Sequence, residues 1–247
     1  MNPNDPLNDT SDRQNSSRIN KLWSWLFSKG ELDRIEKNAI QRLQMSMRVT
    51  AKCRFIAASR LQNQGKFAFF TTTFLSLGLI FIPLMQNSGV KLAFSTNVLN
   101  MISIFLAVAV LVYSVVIGTA RYELRAEKLT ECGDKLKDLN RSLGKVISGE
   151  YDKSTTLDDY QTRYTDIVTD TENHSKRDYN LATLEMRRDY NITGIIRLKT
   201  YLSAVISTCI PYLLPTVMLI IEIAFITDMV SATTILTPYF NSPTQTS

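Results

Sequence analysis

Histidine occurs once, at His174, and cysteine three times, at Cys53, Cys132 and Cys209, with no CxxC pair among them. That scarcity excludes a disulfide framework and a Cys/His zinc site, and the thiols read as reduced side chains of a cytosol-facing protein. The chain also lacks a phosphate-cradling loop, a nucleophile motif and a metal-ligand signature. No catalytic, cofactor-binding or metal-binding residue is therefore assigned, and the chain is not expected to be an enzyme. Charge is missing over long runs. Residues 67–85 and 98–120 contain no Asp, Glu, Lys or Arg, and residues 202–226 contain only Glu222. The mean hydropathy of −0.05 thus averages three apolar stretches with segments dense in charge.

What is present follows from those gaps. The first stretch has 19 residues, about 28 Å as a helix at ~1.5 Å per residue, close to the ~30 Å hydrocarbon core of a bilayer. The second has 23 residues and follows a 12-residue linker holding Asn87, Gly89 and Asn97, so the pair reads as a transmembrane hairpin. The third, 202–226, is long enough to cross but carries Pro211, Pro215 and Glu222, which predict a broken or kinked helix. A carboxylate at mid-membrane costs ~2.5 to 3.5 kcal/mol, and Glu222 avoids much of this by lying four residues from the end of the run. A third crossing is expected, with a re-entrant or interfacial segment as its competitor. The fold class is an all-α membrane protein: a hairpin, a third Pro-kinked membrane segment, and long cytoplasmic helices.

The net charge of +5 is unevenly placed: 12 Lys and Arg against 6 acids before Phe67, one base in the linker, 15 against 15 over 121–199, and no base after Lys199. Bases flanking the hairpin on both sides place the N-terminus and residues 121–200 in the cytoplasm, and the lack of bases after the third stretch places the C-terminus outside, in a multi-pass membrane protein. A basic N-terminal region suits the anionic inner leaflet, and no direct nucleic-acid binding is expected. Residues 1–32 are expected to form a disordered, basic leader without a cleavable signal, whose LWSWLF run at 22–27 either lies in the membrane interface or docks on the protein's own helices. Residues 33–226 then form one helical membrane domain, and 227–247 a tail.

From Asp33 to Gln64 there is no Gly or Pro, and Ile35, Ala39, Leu43, Met47, Ala51 and Phe55 recur every four residues, predicting an amphipathic helix. After the second stretch Leu129, Cys132, Leu136, Leu139, Leu143 and Val146 alternate at intervals of three and four, a heptad seam under three heptads long. The seam either packs on the preceding helix of the same chain or, as a coiled coil, drives assembly of a homo-oligomer. Ser103 with Ala107, and Ser114 with Gly118, would let membrane helices approach. Thr156 with Asp159 opens a further Pro-free stretch expected to continue to about Lys199. On one stripe of that helix lie Tyr160, Tyr164, Ile167, Thr171, His174, Asp178 and Leu181, which places a His174–Asp178 hydrogen bond on the buried side. The polar motif around it, Glu172, Asn173, His174, Asp178 and Tyr179, reads as structural.

Three runs, RVTAKCRFIAASRL (48–61), ARYELRAEKLTECGDKL (120–136) and ENHSKRDY (172–179), in this order around a hairpin, resemble the SLATT family of two-transmembrane effectors in bacterial conflict systems. The resemblance covers roughly 43–226. It implies an antiviral-defence effector that forms pores or disrupts the inner membrane in an abortive-infection response. It also implies a cytoplasmic partner: a nucleotide sensor, a nucleotidyltransferase or a reverse transcriptase with its RNA. The competing expectation is a non-toxic membrane anchor or scaffold recruiting such an enzyme.

Overall fold

The structure, a computed structural model, describes residues 29–31, 38–148 and 156–240; the leader at 1–28, with its LWSWLF run, and the last residues of the tail lie outside the described residues. The order is β1 (Lys29–Glu31), α1 (Ala39–Asn87), α2 (Thr96–Ala120), α3 (Tyr122–Ile147), α4 (Leu157–Thr169), α5 (Lys176–Glu185), β2 (Tyr190–Ile192), α6 (Gly194–Met229) and α7 (Thr237–Phe240). Strands β1 and β2 pair antiparallel, with Gly30 opposite Asn191. Everything else of size is helix, and three helices are long and apolar enough to cross a membrane, as the all-α membrane class requires. Helix α1, at 49 residues, is about twice the length a span needs. Helix α2 starts at Ser95, whose hydroxyl accepts from the Val98 N–H, and ends at Arg121, whose left-handed φ of 46° separates it from α3. Helix α6 is unbroken through Pro211 and Pro215.

The chain divides into two units. The first comprises Met1–Ala58 and Glu127–Thr208. Its core forms where α1 and α3 meet α4: Met47 packs with Leu139, Leu143 and Tyr160, and Ala51 with Cys132 and Leu136. Gly133 permits this approach, since a Cβ there would stand 2.7 Å from the Phe55 ring. A second cluster joins Met45, Val49 and Cys53 to Ala182, Leu184, Tyr190 and Ile192. The heptad residues Leu129, Leu136, Leu139 and Leu143 are all buried inside this unit. Within the chain the seam thus packs on α1 and α4, in keeping with the first of the two expected readings.

The expected continuous helix from 156 to about 199 is also corrected, because it ends at Thr169 and restarts at Lys176. Thr156 and Asp159 form a capping box as expected, but Ser175 and Asp178 form a second one. That box satisfies the free N–H groups of a new helix start, so a break there costs little.

The second unit comprises Ser59–Ala126 and Cys209–Ser247. Leu75 and Ile82 of α1, Leu99 and Leu106 of α2, and Leu219, Phe225 and Met229 of α6 share one apolar cluster with Phe94. Phe94 stacks on Phe225 with centroids 4.8 Å apart and meets Phe240 edge-on at 5.9 Å. The outward faces are apolar too: Ile104, Phe105, Leu111 and Val115 of α2 and Ile210, Leu213, Leu214 and Ile220 of α6 are exposed. A helix that is apolar all round suits a lipid surrounding. The segment read as a tail is structured up to Phe240 by Asp228, which is fully buried and accepts from the N–H groups of Ile235, Leu236 and Thr237 and from the hydroxyls of Thr233 and Thr237.

Candidate functional site

Two places hold buried polar groups of the kind that function draws on. In the first unit, Arg54 is 1% exposed. Its guanidinium donates to the backbone carbonyls of Val168, in the last turn of α4, and of Glu172, three residues past its end, where carbonyls lack helical partners and a cation complements the helix dipole. The four-residue stripe expected on α1 omitted Arg54 because a true helix repeats every 3.6 residues. Arg54 lies seven residues from Met47 and seven from Leu61, both buried, and that spacing is the signal that finds it.

Around Arg54 stands the Glu172–Tyr179 motif. Asp178 is fully buried but does not use His174: its carboxylate accepts from the Ser175 N–H at 3.0 Å and the Ser175 hydroxyl at 2.6 Å. His174 precedes the cap, its Nδ1 has no hydrogen-bond partner, and its backbone N–H donates to the Asn173 side chain. The expected His174–Asp178 bond is replaced because the serine, one residue nearer the break, reaches the same carboxylate as part of a cap. Burial and the neighbouring Arg54 charge lower the His174 pKa below its ordinary 6.5, with Asp178 opposing them. The imidazole is thus neutral at pH 7. Tyr179 shares a hydrogen bond with Tyr190 at 3.4 Å, and Arg48 pairs with the buried Asp189. Burial also pushes the Cys53 thiol up to about 12, which makes it an unreactive core side chain.

Arg177 escaped the sequence reading. Its Nη1 donates to the carbonyl of Ser207 at 3.1 Å. Ser207 stands four residues before Pro211, so it is the carbonyl that the proline deprives of a helical donor. The arginine supplies what the proline removes, and this explains how α6 continues through that position.

An open cleft of about 620 Å³ beside α3 and α4 is edged by Lys128, Lys135, Glu131, Asp166 and Asp170. Lys135 is already engaged with Glu131 at 2.9 Å, so the cleft is not a strong anion site. Among the described residues no group of three or more His, Cys, Asp or Glu could hold a metal ion.

The second place is Glu222, the only acid in the three apolar stretches, which is 4% exposed. It faces Gly78 of α1, where a Cβ would overlap the carboxyl and stand 3.2 Å from Glu222 Cγ. Glu222 Oε1 has no hydrogen-bond partner. Hydroxyls of the other two apolar stretches donate along their own helices: Thr71 to Phe67, Ser76 to Thr72 and Ser103 to Leu99. Pro211 and Pro215 lie on the same helix as Glu222, and Cys209 is an exposed free thiol.

Three long apolar helices and a polar, ion-paired unit define an α-helical membrane protein with a substantial extramembrane part. More particularly, residues 36–226 match the family of SMODS and SLOG-associating 2TM effector domains, family 5, and the chain belongs to that family. The match takes in all three apolar helices although the family's description counts two. Neither the curated proteins nor the solved structures provide a match.

Proposed function

We propose that this chain is the membrane effector of a bacterial antiphage system of the abortive-infection type, which forms a pore or otherwise breaches the inner membrane once a partner activates it. Membership of a two-transmembrane effector family, over a match that includes every apolar helix, is the observation that carries this reading. In it the N-terminus and residues 121–200 are cytoplasmic and the C-terminus is outside, a topology supported by the absence of Lys and Arg after Lys199. Because Leu129, Leu136, Leu139 and Leu143 are buried within the chain, subunits of a homo-oligomer would meet through the exposed faces of α2 and α6 instead. No sensor pocket is assigned, so the trigger is a separate cytoplasmic protein: a nucleotide sensor, a nucleotidyltransferase or a reverse transcriptase. No catalytic chemistry is assigned to the chain.

Expression of the chain with its activated partner should depolarise the inner membrane and release dye from liposomes carrying the purified proteins. Intact liposomes around an activated protein would favour the second reading, a non-toxic anchor or scaffold. That alternative is supported by the intrachain burial of the seam, which leaves Leu129, Leu136, Leu139 and Leu143 unavailable to a second copy.

A further inference from the structure

We propose that Glu222 is a proton-binding site inside the membrane helices: seated against Gly78 it carries its proton, and the helices hold their arrangement only while it does. The inference goes beyond pore formation and does not rest on it. Geometry carries it. The carboxyl is 4% exposed, its Oε1 has no donor, and its helical neighbours at three and four positions, Met218, Leu219 and Phe225, belong to the apolar cluster with Leu75, Ile82 and Leu99. An ionised carboxylate in such surroundings needs a cation or several hydrogen bonds, and none is supplied. Asp228, six residues on, shows the contrast: also buried, it accepts five hydrogen bonds from residues 233–237.

No charged group compensates from any packed element. Residues 67–85 of α1 and 98–120 of α2 contain no acid or base; the other titratable groups in the three stretches are Tyr113, Cys209 and Tyr212. Tyr212 is engaged with the Phe67 ring at 5.0 Å. On its own helix the nearest charge is Asp228, already committed to the turn that follows. Gly78 completes the seat, because a methyl group at that position would occupy the volume of the carboxyl. A neutral acid fits there; an anion is driven to part α1 from α6 or to reach water.

The test uses the full chain in phosphatidylethanolamine/phosphatidylglycerol vesicles at pH 6.5, treated with the hydrophobic reagent dicyclohexylcarbodiimide. The acid's proton passes to one carbodiimide nitrogen, a carboxyl oxygen bonds to the central carbon, and the O-acylisourea rearranges to a stable N-acylurea that peptide mass spectrometry locates. The expected result is an adduct at Glu222 that a water-soluble carbodiimide does not produce. No adduct from the hydrophobic reagent, or equal labelling by the water-soluble one, overturns the proposal. The unfolding midpoint in detergent gives a second readout. Since unfolding would release the proton above the ordinary carboxyl range, the midpoint should fall with rising pH by about 3 °C per pH unit, and Glu222→Gln should flatten that slope. An unchanged slope in a folded Glu222→Gln protein counts against the site. Neither readout depends on whether the vesicles leak, so failure here and failure of the pore reading are separable.

Discussion

The first unit and the apolar stretches of the second bury polar groups by opposite rules. In the first, Asp178, Arg54 and Asp189 are buried, and each is tied to caps, helix-end carbonyls or a counter-charge. In the second, the apolar stretches satisfy their hydroxyls within their own helices and leave one carboxyl, Glu222, without a donor. Water-facing structure can recruit partners from many loops and strands, whereas helices in lipid carry few side chains able to donate. A buried acid is therefore a fastening in the first unit, and at Asp228 beyond the apolar stretch, but an uncompensated group at Glu222 within it.

The comparison breaks hardest at Asp178. Asp178→Ala removes the Ser175 capping box and the carboxylate beside Arg177, 3.6 Å from its Nε, and should lower stability by about 3 to 5 kcal/mol, read as a fall in the melting temperature of the purified protein. Next comes the seam: Leu136→Ala, at a fully buried position, should cost about 2 to 4 kcal/mol and leave the oligomeric state by light scattering unchanged. A change of oligomer at constant stability would return the seam to an assembly role. Thr156→Ala at the exposed first cap should cost only about 1 kcal/mol, against the larger loss at the buried second cap.

The smallest effect is a pH slope. His174 has a folded pKa held below 6.5 by burial and Arg54, so the unfolded chain takes up its proton first as the solution is acidified. Its contribution is fully present above about pH 6.5 and is lost as pH falls towards the folded value. His174→Gln should remove that portion of the acid-side slope in a melting-temperature series.

Much of this was written locally. Uncharged runs of 19 and 23 residues can only be satisfied in lipid or a large core, and their length and order determine the apolar helices without reference to anything distant. The runs at 48–61, 120–136 and 172–179 likewise carry the family resemblance. The capping box at Thr156 was legible because its partners are three residues apart. The same local signal stands at Ser175 and Asp178, but the stripe through His174 runs across it and reads as continuous helix. Other features had no local signature. Whether the leucine seam meets its own chain or another depends on where α1 and α4 return, which a heptad pattern does not encode. That Arg177 serves the carbonyl freed by Pro211, and that Gly78 makes room for Glu222, join residues 30 and 144 positions apart, respectively, for the arginine's acceptor and the glycine's acid. Periodicity tells which face of a helix is buried; only the tertiary structure decides what that face meets, because the choice rests on packing and unmet hydrogen bonds between distant segments.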